Sequence, residues 1–332
     1  MSATRRRLQD PTIRAFALLV VVLAIFVGLA ASTGAKLSAA TAFSIFQNFA
    51  VVGLVALGLG ITMLIREFDL SVAGMFGLGG IVAVLVGNGH PVIGLATAVG
   101  IGLAGGLAQS FCMVRFGLGS VPITLGGLLT FNGIAVVISG NRSIPFTNLD
   151  LALWINTPLA GMFSIHSAIT LLVFVVAALL ISYTRPGRDV IATGSNARAS
   201  RIAGINTNAV VMAVFATSGA LAALGGGLLS FGLAAASPSG LTAVLIPAIA
   251  AVILGGGSLS GGTGLPLGIA AGVLILSLLR TGMTILGLPP HAHDIVTGLL
   301  LLSVAVLDGE ALRQRVHEAV RTLKPLRRLP RG

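Results

Sequence analysis

The chain has 332 residues, of which 55% are hydrophobic and only 9% are charged. A soluble domain carries roughly 25% charged residues, so this composition excludes a water-exposed globular fold and predicts an all-α, polytopic membrane protein. The formal net charge of +11 lies at the chain ends and in one internal segment, which fits contact with membrane lipids better than binding of nucleic acid.

Ten apolar stretches are predicted as membrane spans, since a helix needs about 20 apolar residues to cross a bilayer. In chain order they are 16–31, 43–65, 71–87, 92–114, 121–139, 163–183, 209–233, 241–254, 265–279 and 293–307. The predicted transmembrane domain is therefore 16–307, preceded by a basic cytoplasmic N-terminus at 1–15 and followed by a basic cytoplasmic tail at 308–332.

The distribution of positive charge predicts the orientation of these spans. With both termini in the cytoplasm, all 20 Lys and Arg residues lie on the inner side except Lys36, Arg142 and Arg280. Positively charged loops resist translocation, so an even number of spans with both termini inside is expected.

The longest polar segment between the ends is 184–208, TRPGRDVIATGSNARASRIAGINTN. The Pro-Gly pair at 186–187 is predicted to end the preceding span. Ser195 or Asn196 is predicted to cap a helix over 197–203, and Gly204 to stop it. Such a two-turn helix is unstable alone in water, so the segment is either a docking element for a soluble partner or an ordinary capped loop.

Asp69 is the acid whose position most needs an explanation. It follows Arg66 and Glu67 at the end of the second predicted span, where a carboxylate must be solvated or paired. We expect Asp69 and Ser71 to cap the third span, and a role in the pathway or gate is the alternative.

The sequence contains no catalytic constellation. It has no HExxH motif, no Cys/His cluster and no paired carboxylates, and the Gly-rich stretch LGGGSLSGGTG at 254–264 lacks the GK[ST] ending of a phosphate-binding loop. That stretch is predicted to be a tight turn. The chain is expected to be no enzyme and to need no cofactor.

Three segments carry a family resemblance: FDLSVAG at 68–74, GRDVIATGSNARASRIAGIN at 187–206 and AAVILGGGSLSGGTG at 250–264. In order and spacing they resemble the permease subunits of bacterial ABC importers for monosaccharides, the ribose, xylose and arabinose group that includes the autoinducer-2 permeases. The resemblance covers roughly 42–308.

The resemblance implies a bacterial inner-membrane protein that moves a monosaccharide or similar polyol-like solute into the cytoplasm. The implied partners are ABC ATPase subunits, a periplasmic or lipoprotein sugar-binding protein, and a second permease subunit, identical or different. The implied ATPase-coupling surface comprises Gly187, Arg188, Gly194, Asn196, Ala199, Arg201, Gly204 and Ile205. The candidates for the translocation path or gate are Asn48, Asp69, Ser71, Asn132, Gly256 and Ser258.

The chain departs from the family pattern at one place that bears on the solute. Family members commonly read ELDAIAA before the Gly-rich turn, whereas 245–251 reads LIPAIAA without either acid. One hypothesis is that this subunit pairs with a different permease that keeps those acids. The alternative function is an ATP-independent secondary transporter or channel, although ion-coupled carriers usually place a charged group inside a span and none is evident here.

Overall fold

The computed structural model describes residues 11–34, 36–238, 242–258 and 262–308. The helices are α1 Pro11–Ser32, α2 Ala39–Leu64, α3 Val72–Gly87, α4 Pro91–Phe116, α5 Ser120–Ser139, α6 Leu149–Ile155, α7 Ile165–Tyr183, α8 Arg185–Ile202, α9 Thr207–Gly232, α10 Leu245–Leu254, α11 Pro266–Ile285 and α12 Pro290–Asp308. Strands β1 Ile144–Pro145 and β2 Ala235–Ala236 and a 3-10 helix, Thr242–Val244, complete the described part. The all-α prediction is confirmed.

Each predicted span coincides with one helix, and the ends differ by a few residues. In the described part of the chain, seven helices are long and apolar enough to cross a bilayer: α1, α2, α4, α5, α7, α9 and α11. Helices α3 and α10 are shorter, with 16 and 10 residues. The count of about ten spans and the cytoplasmic position of both termini therefore stay predictions.

The predicted terminal segments lie mostly outside the described residues. Residues 11–15 of the predicted N-terminal segment belong to helix α1, and of the predicted tail only Asp308 is described, as the last residue of α12. The roles predicted for the basic tail and for the first ten residues therefore stay predictions.

Side-chain caps and left-handed residues set the ends of several helices. Ser38 and Ser164 each form a reciprocal capping box, with Thr41 at the start of α2 and with Ser167 at the start of α7. Helices α4 and α5 end at glycines, Gly117 and Gly140, with φ of 64° and 61°. These local signals explain why the apolar stretches begin and end where they do.

Helix α9 lies at the centre of the bundle and packs most extensively against α4 and α3, and also against α2. Its glycines allow direct contact between backbones: Gly226 lies against the carbonyl oxygen of Phe76 on α3, and Gly106 of α4 lies against that of Phe215 on α9. A Cβ at either glycine would overlap the oxygen. Small residues of this kind let helices associate closely in lipid, where no hydrophobic force drives them together.

The end of the bundle away from α8 carries two features that the sequence did not predict, helix α6 and the β1–β2 pair. The strands are antiparallel, with Ile144 opposite Ala236, and the N–H of Phe146 donates to the carbonyl of Ala234 at 2.9 Å. The side chain of Asn88, at the end of α3, accepts from the N–H of Thr147 at 2.8 Å. These contacts join segments far apart in sequence, so periodicity contains no signal for them.

Candidate functional site

The polar segment 184–208 folds mainly as helix α8, an 18-residue helix between α7 and α9. The hydroxyl of Thr184 accepts from the N–H of Gly187 at 3.3 Å, and Pro186 occupies the first turn, where its missing N–H has no intrahelical partner to lose. The prediction of a two-turn helix over 197–203 alone is therefore wrong. The Pro-Gly pair begins a second helix as well as ending α7.

Helix α8 bends at Asn196, whose φ of −158° and ψ of 98° are not helical. Its Oδ1 accepts from the N–H of Ala199 at 3.0 Å, so Asn196 caps the part of α8 that follows the bend, as one of the two predicted alternatives. Ser195, the other alternative, donates its hydroxyl to the carbonyl of Ile191 at 2.9 Å. The bend lets the two parts of α8 point in different directions.

A glycine in the left-handed conformation terminates the C-terminal end of α8. Gly204 has a φ of 88°, and its N–H donates to the carbonyl of Arg201 at 3.0 Å. The N–H of Ile205 donates to the carbonyl of Ser200, also at 3.0 Å. This pair of bonds is the usual way in which a left-handed residue ends a helix, and it confirms the predicted stop at Gly204.

Two glycines allow α8 to pack directly against the ends of the membrane helices α7 and α2. Gly187 lies against the carbonyl oxygens of Leu180 and Ile181 at the end of α7, and Gly194 lies against the carbonyl oxygen of Leu64 at the end of α2. A Cβ at Gly194 would overlap that oxygen. The distance between α8 and these spans is therefore set by backbone atoms, which have no rotamers to adjust.

Two of the three segments that carry the family resemblance, 187–206 and 250–264, meet at the end of α2, directly before the third. Arg66 has a left-handed φ of 65°, and its Nη2 donates to the carbonyl of Ser195 in α8 at 3.4 Å. Gly262, in the Gly-rich turn, donates its N–H to the carbonyl of Met63 at 3.0 Å. A Cβ at Gly262 would lie 3.2 Å from the carbonyl oxygen of Gly194. The chain therefore brings α2, α8 and the turn after α10 into direct contact.

Asp69 is fully buried beside this junction, in the connection from α2 to α3. Its Oδ1 accepts from the N–H of Ser71 at 3.1 Å and from the Ser71 hydroxyl at 2.6 Å. Its Oδ2 accepts from the hydroxyl of Ser218 on α9 at 2.7 Å. Burial raises the pKa of the Asp69 carboxyl, and these hydrogen bonds offset part of that rise. The Asp69 carboxylate thus binds the N–H of Ser71 directly before α3, whereas the Ser71 side chain makes no cap hydrogen bond to α3. The expected cap is therefore only partly formed, and the pathway role stays a prediction.

Further hydrogen bonds extend this network to α4 and α5. Gln109 on α4 donates its Nε2 to the Ser71 hydroxyl oxygen at 2.9 Å. On α5, Thr124 donates to the carbonyl of Phe68 at 3.2 Å, and the Ser120 hydroxyl oxygen accepts from the N–H of Phe68 at 3.1 Å. Because α9 follows α8 in the chain, the network connects α8 through α9 to α3, α4 and α5.

The predicted coupling residues fall into two groups, those exposed on the surface of α8 and those buried where α8 packs against the bundle. Arg188, Asn196, Ala199, Arg201 and Gly204 are exposed, Ile205 is half-buried, and Gly187 and Gly194 are buried. Sequence reasoning missed Ile202, which is 83% exposed at the end of α8. The available signal was a large apolar residue two positions before the stop that Gly204 provides.

The pathway candidates do not form a single site. Gly256 has a φ of 89° and lies against Pro11 at the start of α1, and Ser258 follows in the same turn. Asn48 lies on α2 roughly 24 Å from the end of that helix, at about 1.5 Å per residue. It donates to the Thr281 hydroxyl oxygen at 3.3 Å. Asn132 is half-buried on α5.

Comparison with known proteins identifies the family of this chain. Residues 41–305 match the model described as branched-chain amino acid transport system / permease component. The autoinducer 2 import system permease protein LsrC of Enterobacter sp. (strain 638) is 33% identical over 305 residues, covering 91% of this chain and 88% of the relative. The ribose import permease protein RbsC of Escherichia coli (strain K12) is 32% identical over 275 residues, covering 81% and 85%. No solved structure matches.

The alignments span nearly the whole described chain, including α2, α8 and the Gly-rich turn that meet at the candidate site. The family model alone covers residues 41–305, and both relatives align over most of their own length. The chain therefore belongs to the family of branched-chain amino acid transport system permease components, and it is a multi-pass inner-membrane permease subunit of an ABC importer rather than an enzyme.

Proposed function

We propose that this chain carries a monosaccharide or similar small polyol-like solute into the cytoplasm, with α8 as the surface on which an ABC ATPase subunit docks. The observation that best supports the proposal is the close packing of α8 against the membrane helices. Its buried glycines hold it against the ends of α2 and α7, while Arg188, Ala199 and Arg201 face away from the bundle. A helix held in this way moves as one body with the spans beneath it.

The energy for transport enters the chain as motion. The sequence has no phosphate-binding motif, so separate ATPase subunits hydrolyse ATP, and closure of the nucleotide sites displaces α8. Helix α9 follows α8, and Ser218 on α9 bonds Asp69 at 2.7 Å. The ATPase biases two states of the bundle by contacting α8 differently in each.

The solute class follows from the named relatives. The family description names branched-chain amino acids, whereas the aligned relatives are named for ribose and autoinducer 2. Identity of about one third over more than four fifths of this chain favours the solutes of those relatives. A sugar-binding protein outside the membrane delivers the solute, and a second permease subunit completes the pathway that Asn48, Asn132 and the other candidates line.

Reconstitution tests this function. The permease is placed in proteoliposomes with the ATPase and the binding protein of its own system, and uptake of radiolabelled D-ribose, a panel of other monosaccharides, and L-leucine is measured. We expect uptake of a sugar that requires both ATP and the binding protein. Uptake without ATP would establish the secondary transporter or channel instead, and uptake of leucine alone would move the solute class to amino acids.

A further inference from the structure

A small cleft lies between α2, α10, α11 and α12, at the ends of these helices away from α8. Its volume is about 40 Å³. Its polar lining consists of Asn48, Ser277, Arg280, His293, Asp294 and Thr297, and the rest is apolar, including Val52 and Met283. Three ionisable side chains from two neighbouring helices thus face one space within a predominantly apolar chain.

The chemistry of this lining suits a ligand with several hydroxyl groups. The Arg280 guanidinium only donates hydrogen bonds, the Asp294 carboxylate only accepts them, and the Asn48 amide does both. Together they match adjacent hydroxyls, each of which donates one hydrogen bond and accepts others.

His293 provides a second, independent observation. Its Nε2 atom is buried and has no hydrogen-bond partner among the described residues, although the residue lines the cleft. A buried polar atom without a partner lowers the stability of the folded state. A ligand hydroxyl in the cleft would supply the missing partner.

We propose that this cleft is a subsite that binds hydroxyl groups of the transported solute through Arg280, His293 and Asp294. The inference rests on the proposed function, since it assigns a contact site to the sugar. A volume of about 40 Å³ exceeds the roughly 10–15 Å³ that one water needs and is far below the 300 Å³ or more of a whole ligand pocket. The cleft therefore holds one edge of a sugar and releases it readily.

Helix α10 contributes no carboxylate to the cleft. Its lining residue is Pro247, in the apolar segment LIPAIAA. Asp294 supplies a carboxylate from α12 to the same space. This placement makes Asp294 the residue on which we expect solute affinity to depend most.

The experiment compares uptake kinetics of the reconstituted transporter carrying D294N, R280Q or I295A, using the panel sugar with the highest wild-type rate. Ile295 is the matched control, because it adjoins Asp294 but is 60% exposed and does not line the cleft. D294N and R280Q should raise KM by roughly tenfold with little change in the maximal rate, the pattern of a lost ground-state contact, whereas I295A should keep the wild-type KM. D294E should recover part of the affinity.

A second measurement excludes misfolding as the cause. T297C in a C112A background places a single thiol in the cleft lining, since Cys112 is the one cysteine of the chain. A saturating concentration of the same sugar should slow its reaction with a methanethiosulfonate reagent. Wild-type KM in D294N and R280Q, or an unchanged labelling rate, would overturn the subsite alone. Failure of the wild-type transporter to take up any sugar would overturn the proposed function and the subsite with it.

Discussion

Helix α8 and the junction between α2 and α11 are held in different ways. Beneath α8, backbone meets backbone: Gly194 rests on the carbonyl oxygen of Leu64, and Gly187 rests on that of Ile181. Between α2 and α11, towards the opposite end of the bundle, side chains make a bridge, where Asn48 donates to Thr281 at 3.3 Å. Backbone contacts leave no rotamers to adjust, whereas side-chain contacts can break and re-form.

A second bridge at the opposite end shows the same character. Gln47 on α2 donates its Nε2 to Asn156 Oδ1 at 2.9 Å, and Asn156 donates its Nδ2 to the carbonyl of Gly232 at 2.8 Å. The Ser164 hydroxyl donates to Gln47 Oε1. From this contrast we expect motion imposed at α8 to pass directly into α2 and α7 and to be accommodated at the side-chain junctions near the cleft.

The largest effect is expected from removing the close contact at Gly194. In G194A the added Cβ meets the Leu64 oxygen, so α8 must shift, and a shift of about 1 Å should lower coupled uptake by roughly a hundredfold. G100A is the matched control, since nothing lies within 4 Å of a Cβ at Gly100. Wild-type uptake by G194A in proteoliposomes would contradict the tight-junction account.

The second largest effect is expected from removal of the buried Asp69 carboxylate. D69A leaves the N–H and hydroxyl of Ser71 and the hydroxyl of Ser218 without their acceptor, and should lower the free energy of unfolding by about 3 kcal/mol. S218A removes one of these bonds and should lower it by about 1 kcal/mol. Denaturation of the purified permease in detergent measures both. Equal effects would show that the network does not converge on Asp69.

Reversing an exposed charge on α8 separates docking from folding. R201E should reduce ATP-driven uptake by roughly tenfold, because a rim charge guides association with a partner, and should leave thermal stability close to wild type. R14E, an exposed charge reversal on α1, is the control and should transport normally. Unchanged uptake and unchanged stimulated ATP hydrolysis in R201E would remove Arg201 from the docking surface.

The smallest effect distinguishes a turn glycine from a packing glycine. Gly204 has a φ of 88°, and nothing lies within 4 Å of a Cβ placed there. G204A should therefore cost only about 1–2 kcal/mol of local strain, whereas G204N should be nearly neutral because Asn tolerates this conformation. Bulky or acidic residues should also disturb docking. Uptake as low as that of G194A in the G204A transporter would contradict the distinction.

Local patterns in the sequence predicted much of this architecture. Apolar length predicted the helices, and the capping tendencies of Asn196 and Gly204 predicted the start of the part of α8 after its bend and the end of α8. The first half of α8 was missed because Gly187 and Gly194 disfavour helix intrinsically. Their reason for being there is the close approach to α7 and α2, which only the folded chain reveals.

Other features depend on contacts between distant segments. The polar lining of the cleft joins Asn48 on α2 with Asp294 on α12, and β1 pairs with β2 across much of the chain. No periodic pattern in the sequence predicts either feature. The contact of Arg66 with α8 and with the Gly-rich turn was likewise not predicted, because the spacing of motifs does not show where a loop folds back.

Site-specific labelling of α8 tests the central claim most directly. In a C112A background, A199C places one thiol on the exposed face of α8, and a membrane-impermeant maleimide is applied to vesicles of either orientation. Reaction is predicted in inside-out vesicles only, and purified ATPase subunit should block it. Labelling in right-side-out vesicles, or undiminished labelling with the ATPase present, would contradict the assignment of α8 as the coupling surface.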